Sequence, residues 1–363
     1  MQSTARHPSR PTRRHTLARL AVAMSVAAVG AGIAAPLEIA QSTAGASTSV
    51  PLFVYSSEGY DALEVRAFEK ATGVTVRIRT DTTAALVDQI EASKKHPKWG
   101  LLWVDGSTVF ATLDRQHLLV TGLKPAVSWN ALGTSAIPKD RSYVPTGVTL
   151  ADALVYTSKV VTNPPTAWQQ LAEPQWKHKV GISDPSRTGS TFPFIAGMMY
   201  DLGGDNGVRK GERFFESLKK NGLVVHTTSY QTLGSVTSGE IEIAVVQNSA
   251  AIGYAAKRPT LRVAYLPPIT ALPSAIGIDA KAPAAEQAEA KQFVNFVLSQ
   301  SGQAVMEAGT RLDDSLYYPV VHGIAPLKTL PPLTTIKMQA ITPYVWGPRE
   351  ASINKWFDAK ITR

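Results

Sequence analysis

The chain of 363 residues is expected to fold as two α/β lobes joined by two crossing strands. Three features point there. Short apolar strands alternate with amphipathic helices, and repeated βα units build a mainly parallel sheet covered on both faces. This alternation runs through residues 50–146 and starts afresh at Val180. Two extended apolar stretches, 147–158 and 264–276, flank the second run and suit strands that pass from one sheet to the other.

The elements follow in order. Leu52, Phe53, Val54 and Tyr55 form a first strand. Tyr60, Leu63, Ala67, Phe68 and Ala71 recur at helical spacing, and Gly73 closes that helix. Val74, Val76 and Ile78 alternate as a strand, after which residues 80–83 offer N-cap side chains to a helix carrying Leu86, Val87 and Ile90. A third strand, 101–104, precedes a helix near 109–115. In the second run, strand 180–183 leads to a helix through Phe194 and Met198 that stops at Gly203 and Gly204. Phe214, Phe215 and Leu218 mark the next helix, closed at Asn221 and Gly222. Strands 223–226, 241–246 and 262–266 follow. The chain then returns through a strand at 274–279 and a long helix at 284–299. Ile353, Trp356 and Phe357 place a last helix at 350–361, packed back on the lobes. The expected organisation is a leader at 1–46, a first lobe at 47–146, a second lobe with its crossing strand at 147–266, and the rest of the first lobe with the C-terminal helices at 267–363.

The composition is that of an ordinary globular protein, 44% hydrophobic and 18% charged. The formal charge is +9. Part of it sits before Ser47, where Arg6, Arg10, Arg13, Arg14 and Arg19 face a single acid, Glu38. Those arginines precede an uncharged Ala-, Val- and Gly-rich stretch at 20–35, and Ala44, Gly45 and Ala46 offer a cleavage site. The segment is read as an export leader. Arg13 and Arg14 resemble a twin-arginine signal, with Thr16 where that motif prefers Phe. The stretch is short for the ~20 residues of a membrane span. There is no cysteine. That excludes disulfides, thiolate metal sites and a lipid-modified cysteine, so the cleaved product is expected to be free in the periplasm. A monomer is also expected. No dense basic run interleaved with aromatics suggests a nucleic-acid partner.

In open α/β sheets ligands bind beyond the carboxyl ends of the strands. The residues there are small and polar: Ser56 and Ser57; Asp81, Thr82 and Thr83; Asp105; Arg187, Thr188, Gly189, Ser190 and Thr191; Ser229 and Tyr230; Gln247 and Asn248. Several precede helices, whose free N–H groups and partial positive charge suit phosphate, phosphonate or carboxylate. Each residue also has a plainer role open to it. Ser56 and Thr82 serve equally as caps, Asp105 as a turn residue, and Arg187 as a solvated loop charge, although a guanidinium binds anions well in bidentate fashion. Tyr317, next to Tyr318, is either core packing or a wall of the cleft. Gly-x-Ser-x-Gly, His-Glu-x-x-His and phosphate-loop motifs are missing, and the histidines outside the leader show no metal-ligand spacing. A binding protein without cofactor is expected, with a hydrolase on the same scaffold as the weaker alternative.

Residues 54–57 and 67–74, then 102–106, 183–190, 238–240 and 318–320, resemble in that order the extracellular solute-binding proteins related to periplasmic ferric-iron-binding proteins. The resemblance covers nearly all of the chain after the leader. It implies the type II periplasmic-binding fold, hinge closure on ligand, and an ABC permease and ATPase as partners. Ligands across that family include ferric iron, phosphonates and sugar phosphates. The iron binders place adjacent tyrosines where this chain has Gln247, Asn248, Ser249 and Ala250, and a histidine after the first strand where residues 56–59 read Ser, Ser, Glu and Gly. A small organic anion is therefore expected, with ferric iron as the alternative.

Overall fold

The computed structural model describes residues 50–308 and 316–363. The expected leader lies outside them. Two sheets organise the chain. In the first, β1 (Leu52–Ser56) lies between β2 (Val76–Thr80) and β3 (Leu101–Asp105), all parallel. The connections are right for such a sheet: α1 (Asp61–Thr72) and α2 (Thr83–Ala92) are the crossovers, and α3 (Ser107–Arg115) leads out. Gly73 ends α1 with φ 75°, a left-handed conformation that costs glycine nothing. Thr82 caps α2, its hydroxyl accepting from the Ala85 N–H. A short α4 (Ala131–Ala136) precedes β4 (Tyr143–Leu150).

The second sheet runs β7–β6–β8–β5–β9. It contains β5 (Ala153–Thr157), β6 (Val180–Ser183), β7 (Val224–His226), β8 (Ile243–Val246) and β9 (Leu261–Ala264). Its helices are α5 (Thr191–Gly203), α6 (Val208–Lys220), α7 (Ser229–Ser238) and α8 (Asn248–Ala256). The chain returns in β10 (Ile269–Ile278), which pairs antiparallel with both β3 and β4. Helices α9 (Ala284–Val297) and α10 (Gln300–Ala308) cover the first sheet.

The crossings are tighter than the sequence reading placed them. The stretch 147–158 is not one strand. It breaks at Ala151 and Asp152, between β4 of the first sheet and β5 of the second. The other passage is residues 265–268, between β9 and β10. The two passages are bonded to each other: Thr270 N–H donates to Asp152 Oδ1 at 2.9 Å, and Ala151 N–H to the Thr270 carbonyl at 2.9 Å.

Each sheet is packed on both faces, as parallel strands require. Phe68, Phe293 and Val297 cover one face of the first sheet; Leu86, Ile90, Phe110 and Leu113 cover the other. In the second lobe, α5 and α6 bring Phe194, Ile195, Phe214 and Phe215 to one face, and α7 and α8 bring Leu233, Val236 and Ala251 to the other. The C-terminal segment departs from expectation. After β11 (Met338–Gln339), α11 (Pro343–Trp346) lies against α3, and Arg115 donates to the Tyr344 carbonyl at 2.9 Å. Then α12 (Glu350–Phe357) sends Ile353 and Phe357 into the second lobe's core, with Phe357 5.7 Å from Phe215. By packing, α12 belongs to the second lobe. Hydrophobic spacing showed that α12 is amphipathic but not which core receives its face.

Trp346 anchors this strap. It is fully buried and its indole donates to Asp205 Oδ1 at 3.2 Å. Trp346→Ala is expected to cost about 3–5 kcal/mol, read as a lower urea midpoint with an unchanged m-value.

Candidate functional site

The cleft is where the carboxyl ends of the two sheets face each other. It encloses about 320 Å³. The first lobe lines it with Ser57, Asp81, Thr82, Thr83, Asp105 and Tyr317. The second lobe adds Arg187, Thr188, Gly189, Ser190, Ser229, Tyr230 and Gln247. All but Tyr317 are expected from the sequence because each follows a strand or precedes a helix. Tyr317 was open between packing and the cleft wall, and it lines the cleft. Its neighbour Tyr318 is a core residue whose hydroxyl donates to the Pro331 carbonyl at 2.7 Å.

Three expected residues are not at the wall. The Ser56 hydroxyl is buried and accepts from the Glu58 N–H at 3.1 Å. Asn248 is buried and its side-chain oxygen accepts from the Tyr265 hydroxyl. Thr191 is buried as the first residue of α5, with its N–H donated to the Thr188 carbonyl at 3.0 Å. In each case the chain turns the side chain or N–H inward one residue away from the cavity. Thr188 reaches the cavity, but its N–H is spent on the Asp184 carbonyl at 2.9 Å.

What remains is a wall rich in hydrogen-bond donors. Helices α2, α5, α7 and α8 all begin at the cavity, so their partial positive ends converge there. Hydroxyls of Ser57 and Thr83, 3.0 Å apart, supply donors without charge. Arg187 is the cationic residue among the lining groups. Its side chain is 65% exposed and only loosely paired, 3.7 Å from Asp184 Oδ2.

The floor has the opposite character. The Tyr317 hydroxyl lies 3.0 Å from Asp105 Oδ2 and 3.2 Å from Glu58 Oε2. The Ser274 hydroxyl donates to Glu58 Oε1 at 2.7 Å. From the second lobe, the Gln247 amide donates to Asp105 Oδ2 at 3.0 Å and to the Tyr317 hydroxyl at 3.3 Å. Glu58 escaped the sequence reading, although an acid two residues past β1 was a usable signal. Its carboxyl is held well above the ordinary range by burial first and by the Asp105 charge second. A protonated Glu58 can donate to the Tyr317 oxygen, which leaves the Tyr317 proton for Asp105.

A larger hollow of about 600 Å³ is lined by Leu132, Ile137, Val148, Leu272 and Ile341. Its walls are mostly apolar, and its Asp114 already accepts from the Tyr344 hydroxyl at 2.8 Å. The smaller cavity, with its converging helix ends, is the candidate site.

Residues 65–331 match the model of the bacterial extracellular solute-binding proteins. The chain belongs to that family. The resemblance read from its sequence and the type II periplasmic-binding fold are both borne out. A relative in Salmonella paratyphi A is 22% identical over 325 residues, 85% of this chain and 90% of its own length. It carries the proposed name of a 2-aminoethylphosphonate-binding periplasmic protein. Among solved structures, AfuA of Actinobacillus pleuropneumoniae with bound fructose-6-phosphate superposes with a TM-score of 0.74 at 16% identity. The match covers 86% of this chain and 98% of that one. Iron-bound HitA of Pseudomonas aeruginosa gives 0.70 at 20% identity, over 84% and 98%. Among the described residues of this family member no helix is long and apolar enough to cross a membrane.

Glu58 carries a pH signature. Its folded pKa is raised, so the folded protein keeps a proton that the unfolded chain releases. The associated stability is complete below the unfolded value near 4.5 and declines as pH rises toward the folded value. Glu58→Gln keeps an acceptor for Ser274 and a donor for Tyr317. Urea titrations at about pH 5 and about pH 8 are expected to show a smaller loss of stability with rising pH in the variant than in the wild type.

Proposed function

We propose that this exported solute-binding protein captures a small organic anion between its lobes and presents it to an ABC permease and its ATPase. The observation that carries the reading is the convergence of four helix N-termini, Arg187 and a set of hydroxyls on one cavity. Such groups bind an oxyanion through N–H and O–H donors and need no proton exchange. The volume suits a small ligand, at the low end of typical ligand pockets of roughly 300–1,000 Å³. Phosphonates, sugar phosphates and carboxylates all meet the donor set. An aminoalkylphosphonate also meets the acidic floor, its ammonium toward Asp105 and its phosphonate toward Arg187, and this agrees with the proposed name of the Salmonella relative. The protein acts in the periplasm as a monomer that closes about the two crossings.

Ferric iron is a second reading with one observation in its favour. Asp105, Glu58 and the Tyr317 hydroxyl bring hard oxygen donors together, the chemistry that Fe³⁺ prefers. Against it, Gln247 contributes an amide at the position of the iron binders' tyrosines, and it is already bonded to Asp105.

A thermal-shift screen separates these readings, because a ligand of the folded state raises the melting temperature by mass action. Phosphonates, sugar phosphates and carboxylates are expected to shift it. A shift with ferric citrate alone would establish the iron reading instead. By calorimetry, Arg187→Ala is expected to weaken the best anion roughly ten- to a hundred-fold, Arg187→Lys less, with the ligand-free melting curve unchanged. Asp105→Asn is expected to weaken 2-aminoethylphosphonate more than ethylphosphonate, since only the former presents a cation to the floor.

A further inference from the structure

Gly189 holds a place that its backbone does not explain. It is absent from the glycines with positive φ, so any L-residue could adopt its conformation. Space is the constraint. A Cβ built on Gly189 would lie 2.6 Å from Thr83 Oγ1 and 3.0 Å from Thr83 Cβ. Gly189 belongs to the β6–α5 loop of the second lobe, and Thr83 opens α2 of the first. The close approach is therefore an approach of lobe to lobe, at the rim of the cavity that both residues line. Thr83 cannot move aside cheaply. It is β-branched and buried, and its hydroxyl lies 3.0 Å from that of Ser57.

We propose that Gly189 sets how far the lobes close: its missing side chain lets the Arg187–Ser190 loop seat against Thr83, and a methyl group there holds the cleft open. The inference rests on the reading of this cleft as a ligand site closed by hinge motion. Another lobe-to-lobe contact, Gln247 with Asp105 and Tyr317, lies at the floor and spans only hydrogen-bond distance. Widening at the rim would stretch it. Gly189 is thus a positioning residue. It acts on every ligand alike, because it changes the distance between the donor wall and the floor and not the chemistry of either.

The test is a mutant cycle of Gly189→Ala, Thr83→Gly and the double variant. The chain has no cysteine of its own. Spin labels on Asp88→Cys in α2 and Ser238→Cys in α7, both exposed, therefore report the distance between lobes directly. In the wild-type background Gly189→Ala is expected to shift this distance upward, with and without phosphonate. It should weaken 2-aminoethylphosphonate, ethylphosphonate and fructose-6-phosphate by similar factors, roughly ten- to a hundred-fold where they bind. In the Thr83→Gly background, adding Gly189→Ala should change neither distance nor affinity. An unchanged distance in the wild-type background, or the same effect in both, overturns the proposal. So does unfolding of Gly189→Ala that Thr83→Gly fails to rescue. If the wild type binds none of these anions, the proposed ligand class fails while the distance measurements still decide the role of Gly189.

Discussion

The structure depends on one strand being shared. β10 enters from the second lobe and pairs with β4 on one edge and β3 on the other, so the returning chain is locked into the first sheet over nearly its whole length. Where it enters, Thr270 is bonded on both sides: its N–H donates to Asp152 and its carbonyl accepts from Ala151. The two passages between lobes are thereby held side by side at a narrow waist. Asp152 sits there fully buried, its carboxyl pushed well above the ordinary range by desolvation and steadied by the Thr270 N–H. Burial of an unpaired charge is costly, which is the physical cause of that upward shift.

Beyond the waist the sheets are turned so that their carboxyl ends face each other. That arrangement explains why the cleft is both polar and permissive. Helix N-termini arrive from both lobes because every parallel strand is followed by a helix, and the fold aims those ends at the gap. The floor opposes them with Asp105 and Tyr317, with Glu58 buried behind them, drawn together from distant parts of the chain. Related scaffolds hold an iron ion or a sugar phosphate. They share this framework.

The C-terminal strap adds a third tie. It touches the first lobe through Tyr344, which Arg115 and Asp114 hold, and then commits Trp346, Ile353 and Phe357 to the second.

The strand–helix alternation, the caps at Gly73 and Thr82, and most of the cleft's first-lobe and second-lobe tips could be read from the sequence. Periodicity, capping chemistry and the carboxyl-end rule act over a few residues, so local order is enough to reveal them. The inward turn of Ser56, Thr191 and Asn248 could not be read, because a one-residue shift at a strand end decides which side chain faces the gap. Glu58 was hidden for a related reason: its meaning comes from Asp105, Ser274 and Tyr317, which only the fold brings within hydrogen-bond reach. The core that receives α12, and the need for a glycine opposite Thr83, are likewise decided by how the lobes pack. An amphipathic face or a missing Cβ says that something must come close. Tertiary structure alone says what does.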